Sequence, residues 1–383
     1  AAPSSLSFEN PSPPPATIGY NVQSDSGIQQ SSETQAGHIY AVTQATTQDL
    51  TLTVSNVSFH AATVTFEVQK PDGTNLNLGF FRSDGAVMGN SASEFITPRF
   101  GEFWINLPGA PLEFEWVTVA DPGNAASDTG YGAVSYSYEI AKVEVTNTQY
   151  AQFLNSVAAS DPGGLYHGEM GGSLGGILRS GDDGNYTYAA DSGRESHPVS
   201  WVSFGDALRF ANWLHNEQPV GEQGADTTED GAYTISEEAL ATNSIARNAA
   251  AKIFLPSEGE WVKAAYYDGG TSAYDDYPAG SSTATTCAAP GDTGNAANCD
   301  GVVGDRVAVG SYPAAASSYG SFDQGGNVAE WSDGEAETEF RPLRGGDFFN
   351  GVSHLARTNS IAVQPAWESS GVGFRIARGH DTD

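Results

Sequence analysis

The segment Leu107-Pro108-Gly109-Ala110-Pro111 constrains this chain most, because closely spaced proline and glycine break helix and strand alike. It divides the 383 residues into stretches with different hydrophobic periods. Before it, apolar and polar residues alternate. Leu50, Leu52 and Val54 fall on one face against Thr51 and Thr53, and Val64, Phe66 and Val68 oppose Thr65, Glu67 and Gln69. Strands are expected at about 38–44, 49–55, 63–70, 75–81 and 102–107. Pro71-Asp72-Gly73-Thr74 supplies a turn, since proline presets the first φ and glycine accepts a positive one. The spacing predicts a small all-β immunoglobulin-like sandwich over 21–112. Residues 1–20, with Pro11, Pro13, Pro14 and Pro15, predict an extended arm held by its own domain or by a neighbouring molecule.

After the joint the period changes to that of helices. Tyr150, Phe153, Leu154 and Val157 predict a helix over 147–158 capped by Thr146 or Asn147. Ser203-x-x-Asp206 opens a second at 204–216 that buries Ala207, Phe210, Ala211 and Leu214. Ser257-x-x-Glu260 opens a third that buries Trp261, Ala264 and Ala265. The 45 glycines imply many turns and long ordered loops between them. The expected organisation is an arm over 1–20, the sandwich over 21–112, an α+β domain over 113–379 and a tail over 380–383.

Sixteen Lys+Arg stand against 47 Asp+Glu, a net charge of −31. Such a surface repels nucleic acid and anionic membranes. No stretch approaches the roughly 20 apolar residues of a membrane span. The two cysteines, Cys287 and Cys299, are too few for a zinc site of their own and are expected to form a short-loop disulfide. A disulfide needs an oxidising compartment, and Ala1-Ala2-Pro3-Ser4-Ser5 resembles the start of a chain after signal-peptide cleavage. An extracellular or cell-surface location is expected.

Several segments of the second stretch resemble formylglycine-generating-enzyme-like (sulfatase-modifying-factor) domains, in the order that family shows. They are Glu139-Ile140-Ala141-Lys142-Val143-Glu144-Val145-Thr146-Asn147, His197-Pro198-Val199-Ser200-Trp201-Val202-Ser203-Phe204 and Leu255-Pro256-Ser257-Glu258-Gly259-Glu260-Trp261. Asp323-Gln324-Gly325-Gly326-Asn327-Val328-Ala329-Glu330-Trp331, Arg344-Gly345-Gly346-Asp347-Phe348 and Gly371-Val372-Gly373-Phe374-Arg375-Ile376-Ala377 complete the set. The resemblance covers about 115–378 and implies a C-type-lectin-like α+β fold.

The resembled enzymes carry a thiol pair that holds copper; at the matching positions stand Asn350 and Leu355. A second branch of the family uses non-haem iron, with His ligands mainly from a separate helical domain that is not recognisable here. No copper or iron is therefore expected. The resemblance also implies structural calcium. One set would be Asp323, Gly326, Val328 and Glu330, and the other Asn298, Cys299, Asp300 and Val302. His197, His215 or His354 could join a serine triad assembled in space.

With the thiol positions altered, the expectation is a non-catalytic extracellular structural or assembly protein, not an enzyme. It would self-associate into a homopolymer or filament through residues 1–20. The alternative is a glycan- or protein-binding module that uses Phe349, Asn350, His354, Arg357 and Trp367. A third reading is an enzyme with altered chemistry.

Overall fold

The computed structural model describes residues 111–334 and 339–380 in full, and between residues 1 and 110 it describes only strands. The chain separates into two compact units, Ala1–Leu112 and Glu113–Asp383. The strands of the first unit form two four-stranded sheets. Ser4–Phe8, inside the expected arm, pairs antiparallel with Leu50–Ser55 of the same chain, so this part of the arm is a strand of its own unit. The proline-rich part of the arm lies outside the described residues.

The second unit is built on two four-stranded sheets. One runs Ile253–Phe254, Ala377–Gly379, Tyr138–Ala141, Trp116–Val119, antiparallel throughout. The other runs Ile361–Val363, Arg341–Arg344, Ala329–Trp331, Val372–Phe374, and its last pair is parallel. The C-terminal stretch thus serves both sheets, and Arg375 and Ile376 make the crossing.

Helices α1 (Asn147–Val157) and α2 (Phe204–His215) bury their apolar stripes together. Thr146 is the cap of α1 and Ser203 that of α2, each with a reciprocal capping box that satisfies otherwise orphaned backbone amides. Their rings meet over the second sheet. Phe210 lies 5.2 Å from Phe153, 5.9 Å from Tyr150 and 5.3 Å from Phe374, mostly edge to face, as the ring quadrupoles favour. A short helix α3 (Glu237–Ala241) and a π-turn at Ala225–Glu229 follow. Helix α4 (Glu258–Tyr266) has its own capping box at Ser257. It buries Glu260, whose carboxylate takes two hydrogen bonds from Arg247.

Arg375 joins the layers. Its side chain is fully buried; Nη1 donates to the Ala141 carbonyl of the first sheet, while Nε and Nη2 grip Glu330 of the second at 2.6 and 2.7 Å. Glu330 is held further by the indole of Trp261 on α4, at 2.7 Å. Two opposite buried charges with their lone pairs satisfied can exist in an apolar interior, whereas either one alone cannot.

Candidate functional site

The site lies where three irregular segments meet: the turn 323–328 that leads into Ala329–Trp331, the loop 296–301, and the turn 345–355. Gly326 has φ +82°, and a Cβ there would come within 2.3 Å of the Asn298 carbonyl, so only glycine lets the first two segments touch. The Asn327 amide then donates to that carbonyl at 2.9 Å. The Asn327 side chain ties the segments together. Its Nδ2 donates to Glu144 Oε1, and its Oδ1 accepts from the Val307 amide and from Asn298 Nδ2.

Cys287 and Cys299 form a disulfide, as expected from the sequence. The strands Thr286–Cys287 and Ala296–Ala297 that carry its approaches are paired in parallel. Cys299 is fully buried, and Cys287 is partly exposed. Far apart in sequence, Cys299 and Leu355 share one hydrophobic cluster with Ala297, against which Cys287 and Tyr277 pack. The next residues extend this contact: the Asp300 amide donates to the Asn350 carbonyl at 2.8 Å, and the Gly301 amide to the Phe348 carbonyl at 2.8 Å. Cys299 therefore packs beside Leu355, and the residue after it is bonded to the Asn350 backbone.

Beside it lies a small open cleft of about 20 Å3, room for about one water. Pro278, Ala279, Ala296, Ala297 and Leu355 supply apolar wall, and Asp323 supplies a carboxylate. Burial pushes the Asp323 carboxyl up to about 6, against the pull of the Gly310 amide and Arg375, and repulsion from Glu330 adds to the rise. Glu144 is pushed well above the carboxylate range, by burial first and then by the charge of Asp323. Its Oε2 is buried without a hydrogen-bond partner.

The first calcium set does not fit the structure. Both oxygens of Glu330 are taken by Arg375, and one is shared with Trp261. Asp323 Oδ2 accepts from the Gly310 amide. The second set fits in part: Asn298 Oδ1 is buried and unpartnered, but the Cys299 carbonyl accepts from the Val302 amide. Among the described residues, no group of three or more His, Cys, Asp or Glu is placed to hold a metal.

The expected binding surface divides. Phe349 and Trp367 are about half exposed, at 53% and 52%. Asn350 and His354 are partly buried. Arg357 is buried and paired with Asp128 and Asp276, so it belongs to the packing and not to an open face. Among the described residues, no hydrogen bond joins a candidate histidine to a serine and a carboxylate. His215 Nδ1 accepts the Lys252 amide, and His197 Nδ1 and His354 Nδ1 have no partner. Glu144, Asn327 and Arg375 lie inside the motifs quoted above, but sequence reasoning did not single them out; buried charge within a motif was the available signal.

The model of the sulfatase-modifying factor enzyme 1-like domain matches residues 115–380. Hercynine oxygenase of Mycolicibacterium thermoresistibile is 28% identical over 244 residues, which is 63% of this chain and 43% of that protein. The chain thus spans less than half the length of this curated relative. Among solved structures, CarF and Treponema denticola variable protein 1 each match with a TM-score of 0.42 and 19% identity. Each match covers 70% of this chain, with 99% and 96% of the respective neighbours. PvdO from Pseudomonas aeruginosa matches with a TM-score of 0.37 and 17% identity, over 70% of this chain and 93% of that one. The relationship to an oxygenase, within a family described by its enzyme, overturns the expectation of a non-catalytic assembly or binding protein. Loss of thiols at Asn350 and Leu355 alone was too narrow a ground for it, since the family match spans the whole domain over 115–380. Over residues 115–380 this chain belongs to the sulfatase-modifying factor enzyme 1-like family.

Proposed function

We propose that this chain is an oxidoreductase whose reacting group is the Cys287–Cys299 disulfide and whose substrate is a dithiol, such as a pair of cysteines in a peptide. One observation carries the reading: the disulfide packs on Leu355 and is tied through Asp300 to Asn350. A substrate thiolate attacks Sγ of Cys287, the more accessible sulfur, and the S–S bond breaks. Cys299 leaves as a thiolate and takes a proton; its apolar, buried surroundings favour the neutral thiol. The second substrate thiolate attacks the mixed disulfide and releases Cys287. The substrate loses two electrons and two protons, and the pair gains them. A low-molecular-weight disulfide restores the oxidised pair by the reverse exchange.

A structural calcium ion at the loop of Asn298 and Asp300 is compatible with the unpartnered Asn298 Oδ1 and takes no part in this chemistry. For the first unit, the two four-stranded sheets are compatible with an immunoglobulin-like arrangement.

The test is a trap. Cys299→Ala leaves Cys287 without its resolving partner, so incubation with a one-cysteine peptide activated as its thionitrobenzoate disulfide should release thionitrobenzoate and leave the peptide disulfide-linked to Cys287, with no second thiol to free it, as read by mass spectrometry. A folded variant that captures no peptide would overturn the reading.

A further inference from the structure

We propose that the outer edge of the strand Thr286–Cys287 binds the substrate as an added antiparallel strand, with the substrate cysteine directly opposite Cys287. The proposal rests on the disulfide reading for its catalytic consequence. It narrows the substrate class to extended, unfolded segments of polypeptide.

The hydrogen bonds of this small sheet show which way each residue faces. Thr286–Cys287 pairs in parallel with Ala296–Ala297, and among the described residues the sheet has these two strands only. The Thr286 amide donates to the Asn295 carbonyl at 2.9 Å, and the Ala288 amide to the Ala297 carbonyl at 3.0 Å. The Ala288 carbonyl accepts from the Tyr312 hydroxyl at 2.8 Å. Thr286 and Ala288 thus turn their amides toward the partner strand. Backbone groups alternate along a strand, so Cys287, between them, turns its amide and carbonyl to the opposite side. Among the described residues neither of these two groups makes a hydrogen bond.

An unpaired amide and carbonyl on a strand edge are a template that an extended peptide completes. Two features leave this edge available. Thr286 is exposed and Cys287 partly so. From Ser281 to Pro290 no residue is charged, although the chain holds 47 Asp+Glu and 16 Lys+Arg, so the strand lacks the charges that commonly block such edges.

Distance selects the register. Two residues of an antiparallel pair that exchange both hydrogen bonds stand about 5.5 Å apart at Cα. Their side chains leave the sheet on the same face. A disulfide most often joins Cα atoms about 5.5–6 Å apart. A substrate cysteine paired with Cys287 in this way is held at mixed-disulfide distance before it reacts. Its thiolate then attacks Sγ of Cys287, the new S–S bond forms, and the Cys287–Cys299 bond breaks with its electron pair on Cys299. Because the main chain does the binding, an extended cysteine is preferred over a helical one or a small free thiol.

The test uses the Cys299→Ala trap with three one-cysteine peptides of one sequence, each activated as its thionitrobenzoate disulfide. One is unmodified, one is N-methylated at the cysteine, and one is N-methylated at the next residue, whose amide points away from Cys287 in this register. Thionitrobenzoate release gives each rate, divided by the rate of the same peptide with glutathione. Methylation at the cysteine should slow capture about fivefold or more, which is the worth of one backbone hydrogen bond. Methylation at the next residue should change it less than about twofold. Equal rates for all three, or slowing by the second methylation instead, overturn the proposal and leave the disulfide reading standing. A second readout does not need capture. The same peptide with serine in place of its cysteine, in excess over the oxidised full chain, should slow hydrogen exchange of the Cys287 amide about threefold or more. No slowing overturns the proposal. Slowing without any capture keeps the edge as a peptide site and removes the disulfide reading.

Discussion

The Asp300 amide donates to the Asn350 carbonyl at 2.8 Å. This bond holds the loop that carries Cys299 against the turn where the resembled enzymes keep a thiol. In this chain Leu355 stands at the other of those positions and packs in one cluster with Cys299.

Leu355 is fully buried against the sulfur cluster, and Gly346, with φ +69°, passes beneath it where a Cβ would come within 3.3 Å of Leu355 Cδ1. Leu355→Ala should therefore open a cavity beside the disulfide and cost about 2–5 kcal/mol. Urea denaturation measures the loss. The same variant should be reduced faster by a small thiol, because the leucine no longer shields Cys299.

The Arg375–Glu330 pair, with both side chains fully buried, spans the two sheets. Arg375→Met strands the Glu330 charge and should destabilise the domain by about 3–5 kcal/mol. Adding Glu330→Gln should recover a substantial part of that loss, because no unpaired charge then remains. Thermal melting of the single and double variants checks the order.

Stability should fall as pH rises from about 4 to 7. Burial lifts Asp206 and Asp323 to about 6, and burial with the charge of Asp206 lifts Glu368 to about 7. Folding raises these carboxyls above their unfolded values, so the folded state binds more protons inside this window, and stability declines with pH until the folded groups have ionised. Glu260 works the other way. Burial alone would raise it, but the Arg247 hydrogen bonds and charge hold it below the usual carboxylate range, so its contribution is lost only below the window. The net charge of −31 adds repulsion in the same direction as the raised carboxyls. Chemical denaturation across pH measures the slope, and Asp323→Asn should make it shallower.

Local signals were legible in the sequence. Thr146, Ser203 and Ser257 cap helices that lie within a residue or two of the expected bounds, because capping boxes are read over a few residues. The disulfide was legible from two cysteines without other partners. The contact between Cys299 and Leu355 was not, since it closes through irregular backbone between distant segments and leaves no period to read. The commitment of Glu330, one of the expected calcium ligands, to Arg375 was hidden for the same reason. The function was misjudged because the absence of thiols at Asn350 and Leu355 was taken as decisive, whereas the family over 115–380 and the relationship to an oxygenase point to an enzyme.

The central claim is tested most directly by an anaerobic single turnover. The oxidised full chain is mixed with excess two-cysteine peptide, and peptide disulfide and protein thiols are counted over time. The account predicts one peptide disulfide formed and two protein thiols released per chain, with neither in Cys287→Ala/Cys299→Ala. A folded wild-type protein whose disulfide stays intact while the peptide stays reduced would contradict it.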